Sequence, residues 1–146
     1  NVLITLNGVL GGLVGITACA DVVTPLSAVL IGGIAGIIAT AGAFLLEKMR
    51  LDDVVGAVPV HLFCGIWGTI SVGLFHEEGF SLGRLGTQVF GTLAVCIGAF
   101  FIALILFKVI DTFIGLRVSD EEQQDGLDFT EHSMNAYADF QTTENH

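Results

Sequence analysis

Val60-His61-Leu62-Phe63-Cys64-Gly65-Ile66-Trp67-Gly68 is the stretch that decides how this chain is read. It places one imidazole in the middle of an apolar run that extends from about Val54 to Phe75. A bilayer core of ~30 Å needs roughly 20 helical residues to cross it, so a run of this length reads as a membrane span. Ionisable groups inside such spans are rare and line pores, relays or cavities. His61 is therefore the first candidate functional residue, and the expectation is a conducting path across a bilayer. The alternative is a neutral imidazole satisfied by a neighbouring helix. A neutral ring accepts on one nitrogen and donates with the other, which suits it to proton exchange. A second buried histidine could fix its tautomers. His76 falls in a loop, however, and His132 and His146 fall in the tail. His61 and Cys64 share a helical face, but two ligands without a third do not make a metal site.

The same pattern repeats on either side. Candidate spans cover about 2–19, 26–46, 54–75 and 85–115, followed by a tail over 117–146. The expected fold is all-α, a polytopic transmembrane helix bundle. Residues 1 to 46 hold one charged side chain, Asp21, and the whole chain of 146 residues is only 14% charged against about 25% for soluble domains. Thr24-Pro25 reads as a helix start, with Thr as cap and Pro in the first turn. The fourth span exceeds the length needed, so it should tilt, bend or project. Lys48, Arg50, Lys108 and Arg117 fall on one side of the four crossings and only Arg84 on the other. The positive-inside rule then puts the 47–53 loop and the C-terminus in the cytoplasm of a multi-pass cell-membrane protein. The chain starts at Asn1 within an apolar segment, with neither an initiator Met nor a signal peptide, which reads as a fragment beginning at or inside a helix.

The net charge of −10 belongs largely to the tail, where eight of the fifteen acidic residues lie in the last thirty positions. Five Lys and Arg in all argue against nucleic-acid binding. Cys19, Cys64 and Cys96 form no paired framework and read as small buried side chains. Glycines four apart (Gly8 and Gly12, Gly11 and Gly15, Gly32 and Gly36) read as close helix packing. Asn7 is the amide of the first span. It either bonds another helix or faces a cytoplasmic vestibule, and the residues leave both open. Thr17 is expected to bond its own helix. In the tail, Ser119 and Glu122 have capping-box spacing, Gly126 is placed to end a short helix, and Leu127, Phe129 and Tyr137 are expected to bury against something. No enzymatic constellation, metal site or cofactor motif stands out, so the chain is not read as an enzyme.

Three ordered motifs resemble the ammonium transporter (Amt) family. They are Asn7-Gly8-Val9-Leu10-Gly11-Gly12-Leu13-Val14-Gly15-Ile16-Thr17-Ala18, Val60-His61 with Cys64-Gly65-Ile66-Trp67-Gly68, and Gly115-Leu116-Arg117-Val118 with Gly126-Leu127-Asp128, His132 and Ala136-Tyr137. The resemblance implies an eleven-helix fold of which this chain is the last four helices and tail, assembled as a homotrimer with one pore per subunit. It implies ammonium or ammonia as cargo and His61 as the second of two hydrogen-bonded pore histidines. Asn7 would lie near the inner mouth, and Ala57, just ahead of His61, would line the pore. Gly115, Arg117, Gly126, Asp128, His132 and Tyr137 would belong to a regulatory tail that meets a neighbouring subunit or a PII-type signalling protein. Leu62 and Phe63 depart from the smaller residues many members carry after the histidine, and Gly56 stands where some have Asp. Two other readings are an ammonium sensor coupled to a cytoplasmic output domain and a Rhesus-like gas channel, whose tail matches less well.

Overall fold

The computed structural model describes residues 2–134, and their regular structure is entirely helical apart from one isolated antiparallel bridge between Val23 and His76. Helix α1 spans Val2–Thr17. Thr17 donates its hydroxyl to the Val14 carbonyl at 2.7 Å, the self-bonding expected of it. Helix α2 spans Pro25–Lys48 and starts as the sequence predicts. Thr24 is extended, its hydroxyl accepts from the Ser27 N–H at 3.3 Å, and Pro25 sits in the first turn, where a missing N–H costs nothing.

The third apolar run becomes helical later than its composition suggests. Val54 and Val55 lie in a turn, and Gly56 has φ +74°, which breaks any helix begun at Val54. A π-helical segment, Val58–Phe63, then leads into α3, Cys64–Phe75. Helix α4 spans Leu82–Phe113, 32 residues without a break. It starts ahead of Leu85 because Ser81 caps it. The Ser81 hydroxyl accepts from the Arg84 N–H at 3.4 Å and its carbonyl from the Leu85 N–H at 2.9 Å. The helices α2, Val58–Phe75 and α4 are each long and apolar enough to cross a membrane, whereas α1, at 16 residues, is shorter than the roughly 20 a crossing takes.

The chain divides into two compact units, residues 1–98 and 99–146. The core of the first unit is built from small side chains. Ala35, Ala39, Val60 and Cys64 are buried together, with Val14, Ile38 and Trp67 packed around them. The spaced glycines do pack closely. A Cβ on Gly11 would lie 2.7 Å from the Ala39 Cβ, and one on Gly15 2.6 Å from the Ala35 Cβ. On a second face, a Cβ on Gly12 would lie 3.2 Å from the Gly32 carbonyl oxygen, and one on Gly36 3.2 Å from that of Gly8. Where lipid replaces water there is no hydrophobic drive between helices, so backbone approach and dispersion hold them.

In the second unit, Gly115 ends the helical run with φ +84°. Helix α5 (Asp120–Asp125) carries the full capping box. The Ser119 hydroxyl accepts from the Glu122 N–H at 3.2 Å, and a Glu122 carboxylate oxygen accepts from the Ser119 N–H at 2.8 Å. Gly126, at φ +95°, ends it as its position predicts, and α6 spans Leu127–Thr130. Leu127 and Phe129 are exposed. Tyr137 and His146 lie outside the described residues.

Candidate functional site around His61

The segment that carries His61 is held at its start by one carboxylate. Asp53 accepts from the Ala57 N–H at 2.8 Å through one oxygen and from the Val58 N–H at 2.9 Å through the other. Pro59 has no N–H, and the Val60 N–H reaches the Gly56 carbonyl at 3.2 Å. The leading donors of the helix, which a helix end ordinarily leaves unpaired, are thereby satisfied. Sequence reasoning did not single out Asp53. Its signal was an acidic residue a few positions ahead of a proline, at the start of an apolar run.

Neighbouring side chains leave this segment in different directions. Pro59, Val60 and Cys64 are buried. The Cys64 thiol donates to the Ala35 carbonyl at 3.2 Å, and the Trp67 indole N–H donates to the Ile31 carbonyl at 3.0 Å, so both tie α3 to α2. Phe63 faces α2 as well, where a Cβ on Gly42 would lie 2.7 Å from its ring. Its bulk therefore fills a glycine notch and does not crowd His61. Leu62 lines a cavity of about 410 Å³ together with Gly65, Thr69, Gln88 and Thr92.

His61 and Ala57 are both exposed. Pro59, Val60 and Cys64 take the packed positions, and the π turn leaves His61 outside them. His61 and Cys64 do not form a pair, since the thiol is turned into α2. No cluster of three or more metal-ligating side chains occurs among the described residues.

Asn7 is buried, at 8% exposure, and its amide donates to the Val55 carbonyl at 3.0 Å. That bond runs to the turn ahead of the His61 segment rather than to another helix. The space beside that amide is where a Cβ on Gly56 would go, in direct collision with the Asn7 nitrogen. Asn7, Gly56 and Asp53 thus meet at one end of the His61 segment. A small recess of about 220 Å³ lies there too, lined by Glu47, Asp52, Asp53, Gly56 and Pro59.

At the other end of α3, the loop is also tied down. The Glu77 N–H donates to the Val22 carbonyl at 2.9 Å, and Arg84 pairs with Glu78 at 2.8 Å. The tail residues Gly115, Arg117, Gly126, Asp128 and His132 lie in the second unit. There Arg117 donates to the Gln123 side chain at 3.3 Å, and His132 is exposed in the turn after α6. Glu122 is held below the usual carboxyl range by the hydroxyl of Ser119 and then by its N–H.

Comparison with known proteins adds to this geometry. Residues 1–137 match the model of the Ammonium Transporter Family. The chain is 48% identical over 134 residues to the Synechocystis protein sll1017, which carries an ammonium-transporter name, with 92% of this chain and 30% of that one covered. It is 43% identical over 156 residues to the ammonium transporter Amt2 of Archaeoglobus fulgidus, covering 96% of this chain and 33% of the relative. The crystal structure of Candida albicans Mep2 superposes with a TM-score of 0.72 at 25% identity, over 87% of this chain and 32% of that one. This chain therefore spans about a third of the length of these relatives. With a bundle of membrane-length helices, a histidine-bearing span and a family match over nearly all its length, the chain belongs to the ammonium transporter family.

Proposed function

We propose that this chain forms the His61-bearing part of a pore that carries ammonium or ammonia across a cell membrane. The observation that carries this reading is the position of His61. It is an exposed imidazole within a membrane-length span, on the face left free by packing, in a chain of this family. Ala57 shares that exposure and is assigned to the same wall. Asn7 belongs to the inner mouth through the turn it holds.

Selectivity is the chemical problem. Ammonium and potassium are similar in size, so a ring of charges would pass both. A dry apolar path penalises any intact cation. Ammonium differs because it can shed a proton and cross as a neutral amine. His61, paired with a second histidine from another part of the protein, would accept and donate hydrogen bonds along that path. The family resemblance and the distribution of basic residues support further assignments: residues 1–116 as the last four helices of eleven, 117–146 as a cytoplasmic tail, a homotrimeric assembly and a PII-type partner at the tail.

The test is current and uptake across vesicles holding the full-length protein, on adding ammonium and then potassium. His61→Ala is expected to abolish the ammonium response or its selectivity against potassium. Unchanged transport and selectivity in that variant would overturn the assignment.

A further inference from the structure

We propose that Asp53 and Asn7 are positioning residues which, with Gly56, set the register of the π-helical turn and so the direction in which His61 faces. This rests on the pore reading above. The segment is held at both ends. On the far side, the bonds from Cys64 to Ala35 and from Trp67 to Ile31 lock the roll of α3 against α2. On the near side, Asp53 takes the Ala57 and Val58 N–H groups with its two oxygens, and Asn7 holds the Val55 carbonyl at 3.0 Å. Between the two anchors the backbone takes the wider π turn, a form that is rare and frequent at functional sites.

The orientation of His61 follows from both anchors. Each residue of an α-helix turns by about 100°, so a one-residue relaxation of the π turn with α3 held would swing His61 off the face it shares with Ala57. Removing the Asp53 carboxylate strands two N–H donors and takes away the near anchor. Gly56 matters because Asn7 occupies the space a Cβ would need, and because its φ of +74° suits glycine. This chain thus meets the inner end of the His61 segment with a neutral amide against glycine, and keeps its acid at Asp53 for the backbone.

The experiment uses the full-length protein in vesicles and reads two quantities: the concentration dependence of ammonium uptake and the ¹⁵N resonances of the His61 ring. Asp53→Ala is expected to lower the maximal rate by roughly tenfold or more, with the half-saturating concentration little changed, as misplacement of a group at the reacting site does. The His61 resonances shift in the same variant. Asn7→Ala gives the same pattern, and Gly56→Ala mimics it. Should Asp53→Ala fail to assemble, Asp53→Asn, which keeps one acceptor for the two N–H groups, serves for the same comparison.

A purely structural role would lower the melting temperature and leave the rate per folded molecule and the His61 resonances alone, and that result overturns the proposal. Wild-type protein without ammonium uptake would instead sink the pore reading. The His61 resonances of the variants would then decide the register claim by themselves.

Discussion

Gly68 is where α3 meets α1 with least room: a Cβ there would collide with the carbonyl oxygen of Gly15. The obstacle is backbone, which cannot swing aside as a side chain can. Gly68→Ala is therefore expected to destabilise the full-length protein by about 1–3 kcal/mol, the usual range for overpacking. Gly33→Ala is the control, because nothing lies within 4 Å of its Cβ position. There the gain in helix propensity, up to ~1 kcal/mol, is expected to leave stability unchanged or slightly raised. Melting temperatures of the two variants in one detergent test both signs. Phe63 and Gly42 make the same point in reverse, since a large ring and a missing side chain fit each other. This is how a bulky residue is accommodated two positions after His61 without covering it.

Among the elements, α5 offers a pH test whose sign is fixed by its capping box. Hydrogen bonds from the Ser119 hydroxyl and N–H favour the charged form of Glu122 and hold its carboxyl below the ordinary value. A carboxyl depressed in the folded state contributes stability above its unfolded value, ~4.3, and that contribution disappears as pH falls through the lower folded value. Protection of the Ser119 amide, its exchange relative to the intrinsic rate at each pH, is expected to hold on acidification until below ~4.3 and then to fall as the cap is lost. Ser119→Ala should make exchange in α5 faster at neutral pH and shrink the pH step, since only the backbone N–H bond to Glu122 remains. A step of unchanged size in that variant would show that the capping box is not its source.

At the scale of the whole molecule, α4 is the element that most needs its surroundings. It is 32 residues long, about 48 Å at 1.5 Å per residue, and none of its residues is buried. That length exceeds the ~30 Å hydrocarbon core by some three turns. Spin labels along α4 in lipid vesicles are expected to report an apolar environment through Phe100 to Leu106 and water contact near Thr112 and Phe113. Uniform water contact along the helix would contradict a membrane span. The exposed leucines of α1 and α2, among them Leu6, Leu13, Leu26 and Leu30, make the same demand for lipid or protein around this chain.

Length and hydrophobicity made the helices legible before any coordinates, because a bilayer leaves helices as nearly the only way to satisfy a backbone in an apolar run. The start of α2 at Thr24-Pro25, the capping box of α5 and its end at Gly126 were legible for a local reason: the groups that make those bonds are three or four residues apart. His61 could be singled out from its chemistry alone. Which way it faces could not, and neither could the late start of its helix. Both depend on Asn7 reaching a carbonyl 48 positions away, on Gly56 leaving room for it, and on Cys64 and Trp67 fixing the roll of α3 against α2. Local spacing thus determined the helices and most of their ends. Contacts between residues far apart in the chain decided the register of the π turn and the exposure of His61, because a helix by itself has no preferred roll until another surface supplies one.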